Sequence, residues 1–381
     1  MCIWTFAGGT NILSHCPETL IKEQLMKSSK KSISPCFFCL LIFLLSIPSL
    51  SVNAQQPDLG NVKVTRLLDR TLIGPDIHPS VGINIQGPSM IKVPEWVPNR
   101  LGNYYLYFAD HKGLYIRLAY ADSIIGPWQI HESGSMKIED SFFATARPPI
   151  AEERLAELVA SRVASGVKMS HDYALELTEP HIASPDVHVD EESRHIIMYF
   201  HGLEAAAQQH SRVATSPDGI NFTTLPENIG RTYVRAFKHA GMTYTIAMPG
   251  QFYRSANGLT DFETGPLLFE STMRHSAVII RGNYLYVFWT RVGDAPETIM
   301  LSTIELTDDW NDWQESPEVE VLRAEYDWEG ADAPIEPSVR STAYGQVNQL
   351  RDPSLYVEDG EVYLLYAVAG ESGIALARVD F

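Results

Sequence analysis

Two aspartates stand beside prolines at the heads of alternating apolar segments: Asp186 in "SPDVHVD", residues 184–190, and Asp352 in "RDPSLYV", residues 351–357. Two carboxyl groups in unlike surroundings can place a proton on one atom and remove it from another, which makes the pair candidates for a catalytic acid and base. The alternative for each is an Asx turn, in which the carboxylate only holds the strand entrance. A third candidate, Asp110, lies in "ADHKG" beside His111 and a flexible glycine. Three arginines, Arg235, Arg274 and Arg351, occur at similar points of similar segments. A guanidinium fork binds carboxylate or sulfate in a bidentate manner, so the trio predicts an anionic ligand, with mutual pairing to nearby acids as the alternative. His111 and His201 complete the expected substrate-binding groups of this face.

The elements that must position these residues repeat. A first column opens with a polar cluster at Gly87, Ser184, Arg231, Arg274 and Arg351. A second follows a turn, as in "YYLYFADHKG", "HIIMYFHGLE", "MTYTIAMPGQ", "NYLYVFWTRVGD" and "EVYLLYAVAGE". A third ends near an aromatic, as in "IRLAYADSIIGPW" and "IMLSTIELTDDW". Alternating Val, Ile, Tyr and Phe between Gly, Asp and Asn turns predicts antiparallel strands, and one such sheet cannot bury both of its faces. Five arranged radially bury each other, which predicts an all-β, five-bladed β-propeller. The segment 61–68, "NVKVTRLL", is expected to supply the outer strand of the last blade. Helical periodicity is confined to an insertion at 150–163, between the first two blades. In such a ring the loops entering first strands and leaving second strands share one face, so the polar groups above converge there.

Residues 1–54 read as a leader outside this fold. The apolar run 36–50 follows Lys27, Lys30 and Lys31 and precedes "SVNA", as in a secretory signal starting at Met26; the alternative is a membrane anchor formed by 36–50. The domain of 55–381 is then secreted or periplasmic, without stable membrane insertion, and is expected to be a monomer. All four cysteines, Cys2, Cys16, Cys36 and Cys39, fall in the leader, so the fold needs no disulfide. The leader holds four of the 29 basic and two of the 47 acidic residues, leaving 25 against 45 and a net charge of −20. That excess opposes nucleic acid or anionic membrane as a partner.

The "DP" and "PD" openings, the "YYLYFA" second strands and the "GPW" third-strand ends resemble the five-bladed propeller glycoside hydrolases, the arabinanases and β-xylosidases among them. The resemblance runs from about residue 60 to 381. It implies an oligosaccharide or polysaccharide substrate cleaved between two carboxyl groups, for which Asp186 and Asp352, with Asp110 as a third, are the candidates here; Trp96 and Trp328 are candidate stacking walls, with blade packing as the alternative. It implies no required cofactor, with His275 placed like the channel histidine that supports a calcium ion in some arabinanases. The chain departs from the family pattern: the first blade reads Gly87-Pro88-Ser89 and the third Tyr233-Val234-Arg235 where the family has an Asp base and a Glu acid. Two rivals therefore stand beside hydrolysis: a lyase-like enzyme that uses a His or Tyr base on a uronate, and a carbohydrate-binding propeller without catalysis.

Overall fold

The computed structural model describes residues 56–381 except Val167; the expected leader, its cysteines and the 36–50 run lie outside the described residues. The described residues form five four-stranded antiparallel sheets arranged as the blades of a propeller. β1 (Lys63–Arg66) comes first in the chain and last in the ring. Blade 1 contains β2 (Gln86–Lys92), β3 (Tyr104–Ala109), β4 (Tyr115–Ala121) and β5 (Gln129–Lys137). Blade 2 contains β6 (Ile182–Asp190), β7 (His195–Ala205), β8 (Gln208–Ser216) and β9 (Thr223–Thr224). Blade 3 follows with β10 (Arg235–His239), β11 (Met242–Ala247), β12 (Gln251–Ser255) and β13 (Glu263–Leu267). Blade 4 has β14 (Met273–Arg281), β15 (Tyr284–Arg291), β16 (Ile299–Glu305) and β17 (Val319–Leu322). Blade 5 has β18 (Arg351–Glu358), β19 (Glu361–Ala367) and β20 (Ile374–Asp380), and β1 pairs with β20 from Lys63–Asp380 to Arg66–Ala377, closing the ring as expected.

The core lies between blades. Tyr105, Tyr107, Ile116 and Leu118 of blade 1 meet Ile196, Met198 and Phe200 of blade 2, and Phe288 and Leu301 of blade 4 meet Leu364 and Tyr366 of blade 5. Full burial of such a side chain contributes about 1.5–3 kcal/mol, so each inter-blade face is a major source of stability.

The first strands carry a recurrent irregularity. Their pairing with the second strands slips between Gln86 and Ser89, Ala183 and Asp186, Met273 and Ser276, and Arg351 and Ser354. An extra residue at each slip re-aims its side chain toward the channel. Gly87, Ser184 and Asp352 take positive φ there, and Tyr233 does so just before β10. Gly87 has a packing reason as well: a Cβ on it would lie 2.9 Å from the Cα of Ser184 in the next blade. Blade 3 departs from the sequence expectation, since its first strand begins at Arg235 rather than Arg231, beyond the left-handed Tyr233.

The insertion holds two helices, α1 (Glu152–Ala164) and α2 (Tyr173–Thr178). α1 begins with Glu152 and Glu153 and ends near Arg162, charges that suit the helix dipole, and it buries none of its residues. α2 has no counterpart in the sequence expectation. It is a helix of six residues started by Asp172, whose carboxylate caps the N–H groups of Ala174 and Leu175.

Candidate functional site

Tyr233 is the centre of the site. Its left-handed backbone, φ 59°, turns the phenol inward ahead of β10, where it is wedged between two imidazoles with ring centroids 4.4 Å away at His201 and 4.5 Å away at His275. Its hydroxyl lies 3.3 Å from His111 Nε2. Burial, reinforced by the charges of Asp352 and Glu371, pushes its pKa well above the ordinary tyrosine value and keeps it a neutral phenol.

Two of the histidines are oriented by carboxylates. Glu371 lies 3.1 Å from His111 Nδ1 and also accepts from Asn84 at 2.8 Å and Arg351 at 2.9 Å. Burial alone would raise its pKa; His111 and Arg351 outweigh that and hold it as an anion. Asp352 Oδ1 lies 2.8 Å from His275 Nδ1. The backbone N–H of Asp352 is also 3.3 Å from that nitrogen, but the shorter, charge-assisted contact decides the tautomer. A carboxylate only accepts, so Nδ1 carries the proton in both rings. His111 Nε2 faces the Tyr233 hydroxyl, and His275 Nε2 is buried without a partner among the described residues. Burial lowers the His275 pKa against the opposing pull of Asp352, so the ring is neutral near pH 7.

Above this cluster opens a cavity of about 350 Å³. It is lined by His111, Tyr233 and His275, by four arginines (Arg162, Arg231, Arg274, Arg340), and by a single carboxylate, Glu176. Glu176, on α2, is bound to Lys112 and His171 at 2.9 Å each and accepts from Ser341 at 2.6 Å. Burial would raise its pKa, and these partners drive it well below the usual range. Arg274 is paired with buried Glu297 at 3.2 Å. Arg340 has no carboxylate partner among the described residues; its Nη2 donates to the Ser271 carbonyl at 3.1 Å. Burial, together with Arg274 and Arg162 nearby, lowers its pKa below the usual arginine value. Clustered guanidiniums without matching carboxylates favour an anion between them.

The residues singled out in the sequence divide between this pocket and the scaffold. His111, Arg274 and His275 line the pocket, Asp352 orients His275, and His201 supports Tyr233 from behind. Asp186 is elsewhere: its carboxylate accepts from His188 Nε2 and from the Ala236 N–H, both at 2.7 Å, and it faces a groove at the far ends of the first strands. Asp186 and Asp352 therefore line no common cavity. Arg351 is fully enclosed between Glu371 and Glu297. Arg235 is spent on the carbonyls of Ser276 and Pro185. Asp110 accepts from the Lys112 N–H within its own turn. Trp96 donates to Glu191 on the outside of blades 1 and 2, and Trp328 packs under blade 5, stacked on Tyr326. Arg162, Glu176, Arg231, Tyr233 and Arg340 were not among the candidates. The one signal for Tyr233 is its position: it stands before Val234 where blades 1, 2 and 5 place Gly87, Ser184 and Asp352 before a proline. No group of three or more His, Cys, Asp or Glu side chains able to hold a metal ion occurs among the described residues.

Fold and site together define a five-bladed β-propeller with an arginine-lined pocket at one end of its first strands. The chain belongs to the same family as "Uncharacterized protein R118" of Acanthamoeba polyphaga mimivirus, with 36% identity over 323 residues, covering 78% of this chain and 84% of that protein. No family model matches the chain. Similar solved structures include a thermostable family-43 glycoside hydrolase (13% identity, TM-score 0.49, 78% of this chain and 89% of that one). An exo-beta-1,3-galactanase from Clostridium thermocellum is also similar (13% identity, TM-score 0.49, 84% and 63%). So is an alpha-L-arabinofuranosidase from Lactobacillus brevis (13% identity, TM-score 0.46, 79% and 92%). Among the described residues no helix is long and apolar enough to cross a membrane.

Proposed function

We propose that this glycoside hydrolase-like propeller cleaves an anionic glycan, one bearing uronate or sulfate groups, in the arginine-lined pocket. The observation that carries the reading is the charge of that pocket: four guanidiniums, of which Arg274 is paired with Glu297 behind the wall, against one lining carboxylate already satisfied by Lys112 and His171, in a chain with a large excess of acid. Hydrolysis by a carboxyl pair needs an acid with a raised pKa beside a second free carboxylate. Glu176 and Glu371 are held as anions by their partners, which weakens that form of cleavage.

The His275–Asp352 pair favours a second reading, elimination. There His275 Nε2 takes the proton α to the uronate carboxylate, and the electrons of that C–H bond form a carbon–carbon double bond as the bond to the leaving oxygen breaks. The neutral Tyr233 phenol gives its proton to that oxygen, and Arg274 and Arg340 hold the carboxylate whose charge grows during the step. Asp352 is then a positioning residue, and His111 with Glu371 orients the phenol. The channel residues do not fit a calcium ion: among the described residues they offer it one unpartnered carboxylate oxygen, Asp352 Oδ2, beside an imidazole nitrogen, where calcium takes roughly six to eight oxygens.

Incubation with uronic-acid and sulfated glycans, read for new reducing ends and for 4,5-unsaturated uronate absorbance, separates the readings. Reducing ends with that absorbance support elimination, and reducing ends without it support hydrolysis. Binding without product assigns the pocket to recognition alone, and no binding removes the anionic glycan. Export of a soluble monomer is expected with this function, and an N-terminus at or near Gln55 is its check.

A further inference from the structure

A second cavity, of about 550 Å³, opens beside the central pocket, and the two share Arg162 and Arg340 as common walls. Its lining adds Lys168 and contains no Asp or Glu. Arg340 joins the two spaces physically: its backbone N–H donates to the Lys168 carbonyl at 3.0 Å, and its guanidinium has no carboxylate partner among the described residues. Thr272, also on the wall, has a buried hydroxyl with no partner among the described residues. Neighbouring Asp294 lines neither cavity; its carboxylate lies 3.9 Å from Arg291.

Three cations, a spare hydroxyl and no acid make this second space cationic in its own right. The insertion supplies Arg162 and Lys168, and the long loop before blade 5 supplies Arg340, so the cationic wall is built from segments outside the repeated strands. Positive groups at the junction of two cavities suit a ligand that carries negative charge on adjoining units.

We infer that the second cavity is a subsite for a second anionic residue, so that the substrate is a polyanionic chain bound through consecutive charged sugars rather than a glycan with one acidic unit. This rests on the anionic-glycan reading of the central pocket. A unit in the central pocket and its neighbour in the side cavity are gripped by the shared Arg162 and Arg340, and Lys168 contacts the neighbour alone.

Calorimetric titration of the full chain with galacturonic acid, its α-1,4-linked dimer and its trimer tests this, with galactose as the uncharged control. The expected result is an affinity gain of at least tenfold from monomer to dimer or trimer. Lys168→Glu should abolish that gain while leaving monomer affinity within twofold; Lys168 is exposed, so the variant is expected to fold, with its melting transition as the check. Monomer binding with no length gain, or a gain that survives Lys168→Glu, overturns the subsite and leaves the central pocket standing. Failure of every uronate, and of a sulfated galactose oligomer titrated beside them, to bind the unaltered chain overturns both.

Discussion

The pocket at the heads of the first strands and the groove at their far ends each contain a histidine hydrogen-bonded to an aspartate, and they use that pair in opposite ways. In the pocket, His275 turns Nδ1 to Asp352, is 2% exposed, and keeps Nε2 unpaired beneath the four arginines. In the groove, His188 turns Nε2 to Asp186 and leaves its other edge half-open to water. The groove is the larger space, about 810 Å³, and it mixes both signs of charge: Lys92 lies 2.5 Å from Glu358, which also accepts from Tyr104, Glu191 accepts from Trp96, and Glu95, Arg100 and Asp359 also line it. Cavity size therefore does not locate the chemistry here. The two places differ instead in the sign of their charge, an excess of guanidiniums in the pocket against an excess of carboxylates in the groove, and in the buried nitrogen of His275 left without a partner among the described residues.

The largest effect should come from exchanging functions between the two pairs. On an active anionic glycan, His275→Gln or Asp352→Asn should lower kcat by at least about a hundredfold, the lower range of what general acid–base catalysis supplies. His188→Gln in the groove should leave kcat within about threefold. Equal losses at His275 and His188 would erase the distinction.

Stability should separate the pairs in the other direction. Asp186 ties blade 2 to blade 3 through the Ala236 N–H and lies 3.9 Å from Arg235, so Asp186→Asn leaves a buried guanidinium poorly compensated. Loss of about 3 kcal/mol in denaturant unfolding is expected, the scale for breaking a buried pair by removing one partner, with little change in turnover per folded molecule. An Asp186→Asn protein with full stability and no activity would place the groove in the mechanism.

The smallest effect is a graded loss of stability in mild acid, arising behind the pocket. Burial, then Lys112, pushes the His181 pKa down to about 3, and burial with neighbouring histidines takes His201 well below its usual value. The unfolded chain therefore binds more protons below pH 6.5, and stability falls as pH drops through that value, by about 1 kcal/mol for each such ring at pH 5.5. Glu176, Glu371 and Asp186, all lowered in the fold, add a further loss once the pH passes below about 4.5. Urea midpoints should decline from pH 7 to 5.5, less so in His181→Gln; a flat profile over that window contradicts the buried neutral rings.

The blades were legible because their strands are short runs rich in Val, Ile, Leu, Tyr and Phe between turn formers, such as Tyr104–Ala109 and Glu361–Ala367, and that composition survives whatever the neighbouring blade does. Residues 61–68 could be placed in blade 5 because a ring with three strands in its last sheet leaves one edge to fill. The site was less legible. Asp352 and His275 were both singled out, but their contact spans 77 positions and depends on how deeply two bulges turn inward, which no local pattern encodes. Arg351 and Arg235 resembled Arg274 in sequence, and burial beside Glu297, Glu371 and backbone carbonyls took them out of the pocket. Arg162 and Arg340 lie in an insertion and a loop whose return to the pocket is tertiary, and the loop's Glu329 instead ties Arg66 to Tyr366.

The pairing of β1 with β20 also sets a clock on biosynthesis. β1 leaves the ribosome about 300 residues before its partner, a wait of roughly 15–60 s at ordinary elongation rates. Throughout that interval Val64 and its neighbours have no native strand to join, and blade 5 has no outer edge. The propeller can accumulate blades one by one during synthesis, but its final cooperative unit forms only once β20 has been made, so a chain interrupted before Ile374 would carry an open ring and a sticky sheet edge.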